Sequence, residues 1–128
     1  MDDRSAARGR VLQLMSAWIA GDYDTVSSGC TPDVRWWTPL SGEPVTGVAD
    51  TRAELERVLG PVPRPIEVTA VVLGEDRTRC VVEMRAEKGE QGTPTFITSV
   101  LTVRAGQVAA GRTYLATRAL DHPAGVTA

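Results

Sequence analysis

Apolar residues recur every three or four positions near the start of the chain and every second position towards its end. Val11, Leu14, Met15, Trp18 and Ile19 make one stripe, which predicts a helix over 5–20. Ser5 stands where a cap would start it, and Gly21 where it must stop. Asp22 is placed to cap a short second helix ending near Ser28, although Thr25, Val26, Ser27 and Ser28 are poor helix formers. Thr31-Pro32-Asp33 reads as a turn, and Val34–Thr38, rich in aromatic and β-branched residues, as a short strand. After a loop at Ser41–Pro44, a third helix runs from Val48 to Leu59 with Leu55, Val58 and Leu59 on its buried side. The proline-rich run Gly60–Pro65 ends it, since each proline removes a donor and fixes φ.

From Ile66 onward the period is two. Strands are predicted over Ile66–Leu73, Thr78–Ala86, Thr95–Arg104 and Gln107–Arg118. Gly74–Arg77, a charged loop at 87–92 and a tight Ala105-Gly106 hairpin join them. Helices first and an antiparallel meander afterwards is an α+β layout. A sheet curled around packed helices leaves a cone-shaped interior. Alternation assigns Cys80, Val82, Met84 and Ala86 to that interior, then Ile97, Ser99, Leu101 and Val103, then Ala109, Gly111, Thr113 and Leu115. It also turns Trp36 and Thr38 inward. Trp37, Glu83, Arg85, Arg112 and Tyr114 fall on the opposite face.

The 128 residues fit one domain, with a core over about 8–118 and a frayed tail at 119–128. Hydrophobic residues make up 42% and charged residues 23%, which excludes a disordered chain, a collagen and a disulfide scaffold. The net charge of −2 gives no basic footprint for nucleic acid. No apolar run approaches the roughly 20 residues of a membrane helix. The acidic start, Met1-Asp2-Asp3-Arg4, lacks the basic-then-apolar order of a signal peptide, so a cytoplasmic protein is expected. Cys30 and Cys80 form neither a framework nor a metal spacing and read as buried reduced thiols. No His/Cys/Asp cluster has ligand spacing, and no glycine-rich loop follows a strand into a helix. Neither a metal nor an organic cofactor is expected. The lone histidine, His122, reads as a solvated side chain in the tail.

Several segments together resemble a known family. They are Ala20-Gly21-Asp22-Tyr23, Thr31-Pro32-Asp33-Val34-Arg35-Trp36, Val45-Thr46-Gly47 before a helix, and Gly106-Gln107-Val108 through Arg112-Thr113-Tyr114. In this order they resemble the nuclear transport factor 2-like superfamily, and within it the SnoaL-like polyketide cyclases and the steroid Δ5-isomerases. The resemblance implies a strongly curved sheet wrapped around three helices, a deep apolar pocket, and a homodimer through the sheet's outer face. In the isomerases the base aligns with Thr38, an oxyanion-hole acid with Ser99 and an oxyanion-hole tyrosine with Leu14. In the SnoaL-like cyclases a catalytic aspartate aligns with Thr113. This chain lacks the carboxylates of both groups at those positions. Val82-Glu83-Met84 matches an isomerase stretch and places Met84 in the pocket wall.

The candidate reactive set is therefore three hydroxyls, Thr38, Ser99 and Thr113, acting as hydrogen-bond donors. A hydroxyl without a base is a poor nucleophile near neutral pH, so positioning and polarisation would have to carry any catalysis. Leu14, Trp18, Trp36, Met84, Leu101 and Leu115 are the expected ligand-binding wall, suited to a rigid, apolar ligand with a few oxygens. Two functions fit. One is a small cofactor-free cyclase or isomerase of an apolar oxygenated metabolite, as in polyketide-type biosynthesis. The other is a non-catalytic small-molecule-binding or accessory subunit of the same fold.

Overall fold

Val11, Leu14, Met15 and Trp18 are buried along one side of the first helix, α1 (Asp3–Ala20). The helix begins before Ser5, so Ser5 lies inside it and is not its cap. It ends where Gly21, at φ 80°, donates to the Trp18 carbonyl (3.1 Å) and Asp22 to the Ala17 carbonyl (2.8 Å). A side chain at that φ would clash with the backbone, which is why the stop is a glycine. Asp22 then caps α2 (Tyr23–Ser28) by accepting from the backbone N–H and the hydroxyl of Thr25. Those two bonds hold its carboxyl below the usual aspartate value.

This computed structural model describes residues 3–74, 78–86 and 94–116. The charged loop at 87–92, the end of the last strand, the tail and His122 lie outside them. Six strands follow the two helices: β1 (Cys30–Trp37), β2 (Val45–Thr46), β3 (Ile66–Leu73), β4 (Arg79–Ala86), β5 (Thr95–Arg104) and β6 (Gln107–Ala116). The third helix, α3 (Val48–Leu59), separates β2 from β3. The sheet order is β2-β1-β6-β5-β4-β3, antiparallel throughout except for the parallel β1–β6 pair. The result is mixed α+β: three helices packed in the hollow of a curved, unclosed sheet.

Two local readings change. Thr31-Pro32-Asp33 is not a free turn; it belongs to β1, where the register shifts between Cys30 and Arg35. Proline is tolerated in a strand at such an irregularity because no ladder N–H is needed there. In β6 the register shifts opposite Thr102/Val103: Val103 pairs with Val108 and Thr102 with Ala110. Ala109 is thus an extra residue, and the alternation flips across it. Val108, not Ala109, is the buried residue at that end, while Gly111 and Thr113 keep their inward positions. Ala105 and Gly106 turn β5 into β6, both with positive φ, the geometry that matches hairpin twist.

The core fills the hollow. Trp18, Trp36, Met15, Leu55, Leu59, Met84, Ile97 and Leu101 are fully buried. Cys30 and Cys80 are buried free thiols, and burial pushes Cys30 up to about 11.

Candidate interior site

Gly111 sets the position of the central tryptophan. A Cβ there would come within 2.5 Å of the Trp36 ring, so only a glycine lets the ring lie flat against β6. Trp18 packs against Trp36 in a T-shaped pair, with ring centroids 6.2 Å apart, and its own indole N–H donates to the Leu55 carbonyl at 3.0 Å. Trp36 Nε1 donates to Thr113 Oγ1 at 2.9 Å. Thr113 Oγ1 and Ser99 Oγ are 2.9 Å apart across the β5–β6 ladder. Trp36 occupies one acceptor site on Thr113, so the Thr113 proton is free to point at Ser99 or at a ligand oxygen.

Thr38 follows β1 directly and is fully buried. Trp36 pairs with Gly111 and Trp37 with Arg112, and Thr38 comes next along the chain, just past the end of β1. Its hydroxyl accepts from the Leu40 backbone N–H at 3.2 Å and donates to Glu54 Oε2. Glu54, on α3, is 2% exposed, and its other oxygen accepts from Arg57 at 2.9 Å. Thr51, one turn earlier on the same helix and also 2% exposed, has no hydrogen-bond partner among the described residues for its hydroxyl. The interior thus holds a carboxylate after all, supplied by a helix and not by the strand positions where sequence reasoning sought one. The signal was present: Thr51, Glu54, Leu55, Val58 and Leu59 share one helical stripe, and a glutamate there must be buried.

The nine expected site residues divide as follows. Thr38, Ser99, Thr113, Trp18, Trp36, Met84 and Leu101 are fully buried. Ser99, Thr113, Trp36 and Trp18 form one chain of direct contacts. Met84 pairs with Ile97, two residues from Ser99 on β5, and Leu101 with Gly111. Leu115 is half-buried at the same face, opposite Ile97. Leu14 also borders a separate recess of about 240 Å³ between α1, α2 and the β5–β6 turn. A larger recess, about 570 Å³, opens on the outer face of the sheet. Trp37, Glu83, Arg85, Arg112 and Tyr114 share that outer face, with the Trp37 and Tyr114 rings 5.3 Å apart. No three His, Cys, Asp or Glu side chains among the described residues are grouped to hold a metal. No described helix is long and apolar enough to cross a membrane.

The family model of the SnoaL-like domain matches residues 11–111. No curated protein matches the sequence. Among solved structures, the chain is similar to an NTF-2 like protein of unknown function from Burkholderia xenovorans LB400. That pair shares 20% identity at a TM-score of 0.72, over 94% of this chain and 95% of the other. A putative ketosteroid isomerase from Kribbella flavida DSM 17836 aligns at 16% identity and a TM-score of 0.72, over 97% and 89% of the two chains. An epoxide hydrolase/cyclase-like enzyme of pyran ring formation in the polyether salinomycin aligns at 19% identity and 0.71, over 91% and 95%. At these identities the likeness is one of fold.

Proposed function

The chain belongs to the SnoaL-like domain family, and from that premise we propose that it is a small cofactor-free cyclase or isomerase of an apolar, oxygenated metabolite of polyketide type, with Glu54 as its proton-transfer group. The observation that carries this reading is a buried carboxylate hydrogen-bonded to Thr38, in an interior that also buries the Ser99–Thr113 hydroxyl pair. Acid–base chemistry needs one group to take a proton and others to hold the oxygen that gains charge. Glu54 takes the proton from a carbon next to a carbonyl. The C–H electron pair moves into the enolate, whose oxygen accepts from Ser99 and Thr113. Returning the proton to a different carbon completes an isomerisation; attack of the enolate carbon on a second carbonyl breaks that carbonyl's π bond and closes a ring, and the alkoxide so formed takes the proton back from Glu54. The unpartnered Thr51 hydroxyl is a further donor for a ligand oxygen. The isomerase-like and cyclase-like solved relatives lend the same direction of support.

The test is deuterium uptake. Apolar cyclic ketones are incubated with the protein in heavy water and their α-proton signals followed by NMR. Wild type is expected to exchange them above the buffer rate, and Glu54→Gln to lose about 10²-fold or more while melting near the wild-type temperature. If the ketones bind, by tryptophan fluorescence, yet no exchange occurs, the chain is a non-catalytic binding or accessory subunit. The close packing of Trp36 against Gly111 and Trp18 is what favours that second reading.

A further inference from the structure

Two arginines on α3 form ion pairs, and they differ in what they hold. Arg52 reaches Asp24 on α2 at 2.9 Å, where the Asp24 side chain is 90% exposed. Arg57 reaches Glu54 at 2.9 Å, where the Glu54 side chain is 2% exposed. A pair between solvated groups contributes little, because water already screens both charges. A carboxylate out of water is different: it needs a counter-charge, and a donor for each oxygen. Glu54 has both. Oε1 accepts from Arg57 and Oε2 from the Thr38 hydroxyl, so the donors come from α3 itself and from the chain just past β1. Thr38 has one proton to give, and its oxygen already accepts from the Leu40 N–H, so its hydroxyl is committed to Glu54. Residues three apart on a helix are surface neighbours. Arg57, with a side chain 56% exposed, thus stretches from the solvent edge of α3 to a carboxylate on the buried stripe. Between them the two donors fix the plane of the carboxylate and leave a lone pair on each oxygen to receive a proton.

Resting on the role proposed for Glu54, we infer that Arg57 is a positioning residue for the proton transfer: it acts through Glu54, balancing the charge of the carboxylate and holding its orientation from the solvent side of α3. When Glu54 takes the α-proton, the C–H bond breaks, an O–H bond forms on the carboxyl and the negative charge passes to the enolate. Arg57 is then left beside a neutral partner, and its half-exposed head is stabilised by water in place. When the proton leaves Glu54 again, the pair re-forms. The buried base therefore has a counter-charge that no ligand has to supply. A guanidinium suits this task because its planar fork presents N–H groups in fixed directions, whereas an ammonium is a rotating point charge.

The test follows α-proton exchange of 2-tetralone, an apolar cyclic ketone, in heavy water by NMR, with kcat and KM separated. Arg57→Gln is expected to lose about tenfold or more in kcat while KM stays within about twofold of wild type. Millimolar methylguanidinium should restore most of the loss, because the vacated place opens to solvent; tetramethylammonium, a cation without N–H donors, should not. In a Glu54→Gln background, Arg57→Gln should change the residual rate no further. Arg52→Gln, on the same helix with an exposed partner, should exchange like wild type. If wild type exchanges and Arg57→Gln does so equally well, loses only in KM, or is not recovered by methylguanidinium, Arg57 is a surface ion pair and the proposal falls while the role of Glu54 stands. If wild type does not exchange, both fall. Should Arg57→Gln not fold, Arg57→Lys decides: exchange about threefold or more slower than wild type at an unchanged melting temperature supports the proposal, and an equal rate overturns it.

Discussion

On the inner face of the sheet, Ser99, Thr113 and Trp36 give their polar atoms to one another. On the outer face, Arg35, Arg79 and Arg112 find no partner among the described residues. The same strands carry both faces, one residue out of phase. Inside, where water is excluded, a polar group left alone costs the fold, so the Ser99 and Thr113 hydroxyls are matched, and the Thr51 hydroxyl is the exception. Outside, an unpaired charge is solvated at little cost. Substitutions around Trp36 should therefore read out as stability, and substitutions of the outer arginines should leave stability nearly unchanged.

The largest effect expected is from Trp36→Ala, which empties the space between Trp18 and Gly111. Urea denaturation should show a loss of about 3–5 kcal/mol. A loss below about 1 kcal/mol would mean that the interior is not packed around this ring. Gly111→Ala attacks the same contact by overfilling it and should cost about 1–3 kcal/mol; a neutral result breaks the argument that the glycine is required. Thr113→Val leaves both the Trp36 N–H and the Ser99 hydroxyl without their partner, for about 1–3 kcal/mol, while Ser99→Ala leaves Thr113 still bonded and should cost about 0.5–1.5 kcal/mol. Equal costs would show that the hydroxyls act independently.

The Cys30 thiol sharpens the contrast through pH. Burial raises its folded value from 9.0 to about 11, so the unfolded chain releases that proton first. Its contribution to stability should be constant below pH 9 and fall as pH rises towards 11. In Cys30→Ala that part of the slope should vanish; an unchanged slope would assign it to other groups. Smallest of all, Arg35→Gln and Arg79→Gln should change the stability read from urea denaturation by no more than about 0.5 kcal/mol. A larger loss would make these arginines part of the fold and remove the distinction between the faces.

The bounds of α3 and β3 were legible to the residue, because Leu55, Val58 and Leu59 mark the one and a β-branched run between Pro65 and Gly74 marks the other, although the alternation of β3 slips where its register to β4 shifts between Val68 and Ala70. The family's fold was legible from short segments in a fixed order. Ala109 was not, since a bulge is a property of pairing with β5 and leaves no mark on β6 alone. Pro32 misled for a related reason: it looks like a turn until the register break in β1 supplies the place where its missing donor does no harm. Val45–Thr46 is too short to show a period. Within the site, the inward hydroxyls followed from alternation, but Glu54 escaped because a charge on an apolar helix stripe was passed over and its partner Thr38 lies on another element. Which groups bond to one another is settled by tertiary packing, which a stripe or an alternation does not encode.

The parallel β1–β6 pair sets the order in which a ribosome can complete the molecule. Trp36 and Thr113 are 77 residues apart in sequence. At about 5–20 residues per second, β6 follows β1 by about 4–15 s. Through that interval the nascent chain holds Trp36 without the glycine floor and the hydroxyl that receive it. The hairpins among β3, β4, β5 and β6 can zip locally, but the join to β1 has to close a long loop last. The strand that fixes the central tryptophan is thus also the one that makes the fold cooperative: until it docks, the two halves of the chain are separate pieces sharing one unfinished core.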